Sequence, residues 1–106
     1  MYLIHAHLEP PPGAALPADA DVRVRALARP EERVRHGSLH ADARPHPVLG
    51  LFVAASSLEA AESVARRVCE RALDLDPALR GVRLLRCEAP LVAPYYEGLI
   101  APPAPG

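Results

Sequence analysis

From Tyr2 to Glu9 the chain alternates without a break. Tyr2, Ile4, Ala6 and Leu8 fall on one side, and Leu3, His5, His7 and Glu9 on the other. A period of two marks a strand with one face buried against a core. Such a strand needs neighbours, because its backbone N–H and C=O groups must be paired. The pattern therefore commits the chain to a sheet with one apolar face and one face carrying imidazoles. Pro10-Pro11-Pro12-Gly13 ends the strand, since proline cannot donate to a ladder and the run favours extended polyproline conformation.

From Pro17 to about Ala28 the residues read as a helix. Pro17 suits the first helical position, and Asp19 and Asp21 suit the positive end of the helix dipole. Asp21 to Arg25 also alternates and fits a strand equally well; Pro30 closes the element in either case. Arg33 to Ala41 and Val48 to Ala55 read as strands joined by a loop from Asp42 to Pro47. The nearly continuous apolar character of Val48 to Ala55 predicts a central strand covered on both faces.

Ser56 and Glu59 are spaced as a capping box, which predicts the start of a long helix. Leu58, Ala61, Val64, Ala65, Val68, Cys69, Ala72 and Leu73 form its apolar stripe, with Glu59, Glu62, Arg66, Glu70 and Arg71 toward water. Asp76-Pro77 opens a further helical turn that Gly81 can end, and Val82 to Glu88 is a last strand. Residues 91–106 form a Pro-rich tail, in which Tyr95 and Tyr96 are expected to pin the chain end to the core.

Strand, helix, strand, strand, helix, strand is an α+β order that resembles a ferredoxin-like sandwich over residues 1–90. The resemblance is one of topology alone. It implies an antiparallel four-stranded sheet with the first and third strands in the middle and two helices on one face. The other face is left for a ligand, a partner or a second copy of the chain.

On that open face the alternation places His5 and His7 roughly 7 Å apart along the strand. His36, Ser38 and His40 share the same face of the second strand, with Gly37, Leu39 and Ala41 turned to the helices. The two histidine pairs are expected about 10 Å apart, across a third strand where an outward Gly50 leaves room. A pocket of neutral imidazoles could bind a ligand, hold a divalent metal or supply a general base. The plainer reading is a polar or dimer-forming face with no chemistry. His5, His7, His36 and His40 are the candidate ligand-binding residues. His46, between two prolines, reads as a surface residue, and the residues themselves assign no metal.

Cys69 sits on the helical stripe as a small hydrophobe, and neither it nor Cys87 has a base placed to make it a nucleophile. They could pair only if the fold brings them together. No glycine-rich phosphate loop and no serine-hydrolase elbow is present, so no organic cofactor is expected. The 12 basic residues, all arginine, balance 13 acidic ones and aromatics make up 4%. That leaves no basic stacking platform for nucleic acid. Abundant Ala, Pro, Gly and Arg is the way a GC-rich genome, an actinobacterial one for example, writes proteins.

With 106 residues, the chain has room for one core, burying roughly 65% of its unfolded surface. No apolar run approaches the roughly 20 residues of a membrane span, and no signal-peptide layout opens the chain, so a cytoplasmic location is expected. The functional expectation is a small non-enzymatic binding or accessory protein, a homodimer through its open sheet face. The alternative is a small cofactor-independent enzyme resembling the dimeric α/β-barrel monooxygenases and isomerases, with a sheet-face histidine as acid/base.

Overall fold

The computed structural model describes residues 1–90; the Pro-rich segment with Tyr95 and Tyr96 lies outside the described residues. The elements are β1 (Tyr2–Glu9), α1 (Ala20–Ala26), β2 (Val34–His40), β3 (Val48–Val53), α2 (Leu58–Leu75) and β4 (Arg83–Glu88), with short 3-10 turns at Pro30–Glu32 and Pro77–Leu79. The strands form one antiparallel sheet in the order β2-β3-β1-β4, with α1 and α2 on one face. This is the ferredoxin-like arrangement.

The alternation of β1 decides which face is covered. Ile4, Ala6 and Leu8 meet Leu49, Leu51 and Val53 of β3 in a core closed by Ala20 and Val24 of α1 and by Ala61, Ala65, Val68, Cys69 and Ala72 of α2. The small residues along α2 let the helix approach the sheet closely, and its stripe faces the core as its spacing predicts. Among the described residues no helix is long and apolar enough to cross a membrane.

Several local expectations shift. Helix α1 starts at Ala20 rather than Pro17, which instead accepts the Ala20 N–H in a preceding turn. Asp19 is the N-cap but spends its carboxylate on Arg23 at 2.9 Å. The cap of α2 is Ser57, whose Oγ accepts the Ala60 N–H at 3.1 Å, one residue later than the Ser56–Glu59 box predicts. Arg33, with φ 56°, turns the chain after the 3-10 turn and delays β2 to Val34. Arg35 bulges out of the β2–β3 ladder, and Ala41 lies past the end of β2 rather than facing the helices.

Strand β3 is central, yet its open side is only partly covered: Phe52 is half-buried between Leu3 and His36, which pair with it from the two neighbouring strands. Arg71 leaves the wet side of α2 to reach Glu32, and Leu58, placed on the stripe, is exposed.

Candidate functional site

Antiparallel register converts the sequence alternation into rows across the open face. Leu3, Phe52 and His36 form one row; Glu88, His5, Gly50 and Ser38 form the next; Arg86, His7, Val48 and His40 form the third. Gly50 matters because it lacks a side chain in the middle of its row. A Cβ there would stand 3.1 Å from Ser38 Oγ and 3.7 Å from His5 Cδ2, so both neighbours lean over the glycine.

That gap brings the two sides closer than strand spacing alone predicts. The rings of His5 and His40 have centroids 6.0 Å apart, and those of His5 and His7 6.4 Å. His40 also contacts Ser38 Oγ through Nε2 at 3.3 Å. His36 does not join them. It lies four residues before His40 on β2, against Phe52 at 5.9 Å between ring centroids.

His46 takes the vacant place in the group, against the expectation of an isolated surface residue. The loop after β2 folds back along β1, tied by the Leu8 N–H donating to the Pro47 carbonyl at 3.1 Å. This sets His46 Nε2 3.2 Å from His7 Nδ1, with ring centroids 5.3 Å apart and planes at 81°. The result is a continuous chain of imidazoles, His40, His5, His7, His46. On the far side of His7, Glu88 Oε2 lies 3.7 Å from Nε2 and receives Arg86 Nε at 3.0 Å.

Electrostatics keep the middle of this chain uncharged near neutral pH. Burial lowers the His5 pKa, with His40 adding to the effect and Glu88 opposing it. Burial likewise lowers that of His7, helped by Arg86 and opposed by Glu88. Neutral imidazoles each offer one donor and one acceptor nitrogen. Beside them an open depression of about 540 Å³ is lined by His5, His40, Val48 and the end of β2 with the turn after it, Leu39 to Ala43. Among the described residues no group of three or more His, Cys, Asp and Glu is arranged to hold a metal ion.

Sequence reasoning missed Glu88, Arg86 and His46. The first two were within reach of the alternation, because a buried Cys87 forces its neighbours on β4 outward. His46 carries no local signal, since its place depends on how the loop folds back. Cys69 and Cys87 are both buried, and the fold does bring them together: α2 and β4 set the free thiols in contact. No family model matches this chain, and neither does any curated protein or solved structure at a significant level.

Proposed function

We propose that the protein is a small cytoplasmic binding module, a homodimer through its open sheet face, which encloses a small ligand or a protein segment against the histidines. The observation that carries this reading is the composition of the open face. Half-buried Leu3 and Phe52 sit beside neutral imidazoles and a depression that Val48 helps to line. Burying such apolar surface favours association, and neutral imidazoles direct hydrogen bonds without the desolvation penalty of a charge. A two-fold arrangement would place the same patch on both sides of the interface.

Sedimentation equilibrium from about 10 to several hundred micromolar tests it. A dimer that Phe52→Asp dissociates, with the helical circular dichroism unchanged, supports the reading; a monomer throughout the range ends it.

The second reading is a cofactor-independent enzyme, and the contact series Glu88, His7, His46 favours it. A carboxylate that biases the proton of one imidazole to its near nitrogen leaves the other nitrogen basic. His5 or His7 would then act as acid/base on a substrate bound at the open face. Turnover of any substrate found should fall by about 10²-fold or more in His7→Gln. Unchanged turnover would remove these residues from the chemistry.

A further inference from the structure

Three features converge on one pair of side chains. The first is the spacing of two ring nitrogens from distant parts of the chain. His7 Nδ1 and His46 Nε2 lie 3.2 Å apart. Two imidazole nitrogens bound at about 2.0 Å to one tetrahedral ion stand roughly 3.3 Å apart, and the ring centroids about 5 Å. The His7 and His46 centroids are at 5.3 Å, whereas the other neighbouring imidazole pairs of the group are at 6.0 and 6.4 Å.

The second is the position of Glu88. Its carboxylate lies 3.7 Å from His7 Nε2, on the side away from His46. A negative charge there favours the proton on Nε2 and turns the Nδ1 lone pair toward His46. A carboxylate behind a ligating histidine orients it in this way in many metal sites.

The third is the way His46 is held. Pro45 and Pro47 flank it; a proline restricts its own φ and confines the residue before it to extended conformations. The Leu8 N–H to Pro47 carbonyl bond then anchors the loop to β1. Little freedom remains to be lost when His46 engages a ligand.

We propose that His7 and His46 are the protein half of a binding site for a divalent transition cation of the zinc type, gripped between His7 Nδ1 and His46 Nε2. Two protein nitrogens leave two or more coordination positions open. Water or a small donor ligand fills these, because no third protein ligand is grouped with the pair among the described residues. In the empty site the His46 Nε2–H donates to His7 Nδ1. When the ion enters, that proton moves to His46 Nδ1 through solvent, so both rings stay neutral and no net proton is lost. Imidazole donors suit zinc, copper(II) and nickel(II) over magnesium or calcium. Arg86 is the opposing charge on this face, and its contact with Glu88 at 3.0 Å partly neutralises it. The inference does not depend on dimer formation.

Calorimetric titration of zinc chloride into tag-free full-length protein at pH 7.5 tests it, paired with long-range imidazole ¹H–¹⁵N spectra. The expected result is saturable binding of one ion per chain, with the His46 ring changing from the Nε2–H to the Nδ1–H tautomer. His46→Gln, in a loop, should weaken binding by about a hundredfold, and Glu88→Gln by about tenfold. His36→Gln should bind as the wild type does. Absence of saturable binding, or wild-type affinity in a His46→Gln variant with an unaltered thermal transition, overturns the proposal.

Discussion

Arg71 and Glu32 meet in a two-pronged bridge, with Arg71 Nη1 donating to Oε1 at 2.8 Å and Nη2 to Oε2 at 2.9 Å. Glu32 is only 7% exposed, and its Oε1 also accepts the Arg29 backbone N–H at 2.8 Å. Arg71 Nη1 donates in addition to the Leu27 carbonyl at 2.9 Å. One ion pair thereby joins α2 to the end of α1 and to the turn that feeds β2, the strand bearing His36 and His40.

Removing the Glu32 charge leaves the half-buried Arg71 guanidinium with the Leu27 carbonyl as its remaining partner. Glu32→Gln should therefore lower unfolding free energy by about 1–2 kcal/mol. The double variant Glu32→Gln, Arg71→Met should recover part of the loss, because no charge is then stranded. Urea unfolding of the wild type, the two single variants Glu32→Gln and Arg71→Met, and the double variant measures both effects; additive losses would show that the two residues act independently.

Acid sensitivity should have two stages. His5 and His7 have folded pKa values below the ordinary 6.5, so the unfolded chain takes up protons first and stability begins to fall as pH drops below about 6.5. Glu32 is held down to about 2 from an ordinary 4.5, chiefly by the Arg71 hydrogen bonds, with burial opposing. Its contribution is complete above pH 4.5 and is lost between there and about 2. Melting temperature against pH should show a shallow slope below 6.5 and a steeper one below 4.5. Glu32→Gln should remove mainly the second stage.

Gly81, in the turn before β4, and Gly50, on the open face, should respond differently to alanine. At Gly81, with φ +84°, a Cβ would lie 2.8 Å from Pro11 Cγ in a backbone region unfavourable to L-residues, so Gly81→Ala should cost about 1–2 kcal/mol. At Gly50 the nearest atom is Ser38 Oγ at 3.1 Å, and that side chain can turn away. Gly50→Ala should cost less than about 1 kcal/mol. Chemical denaturation reads both; a larger loss at Gly50 would mean that the open face is packed more rigidly than its exposure implies.

The two thiols should differ in reactivity. The contact with Cys87, together with burial, pushes the Cys69 thiol well up, whereas contact with Cys69 lowers that of Cys87. Iodoacetamide at pH 8 should alkylate Cys87 first in the native protein and Cys69 only on unfolding, as peptide mass spectrometry would show. Equal native rates at both would contradict the burial of Cys69.

Much of the molecule follows from short-range pattern. The alternation from Tyr2 to Leu8 determined β1 and the sidedness of its histidines. The 3.6-residue stripe of α2 determined which face meets the sheet. These are legible because each depends on residues two to four apart. Boundaries are less so: Ser56 and Ser57 are both competent caps, and backbone conformation at Ser57 chose between them.

Pairing across the chain was decided by tertiary structure alone. His7 and His46 are 39 residues apart, and so are Glu32 and Arg71. Neither pair leaves a local trace, because a contact closed by chain folding costs loop entropy that only the whole core can offset. Local sequence thus determined that imidazoles would occupy the open face. Which of them meet was settled by the return of the loop along β1, which brings in His46, and by the position of His36 four residues before His40 on β2, which leaves it against Phe52.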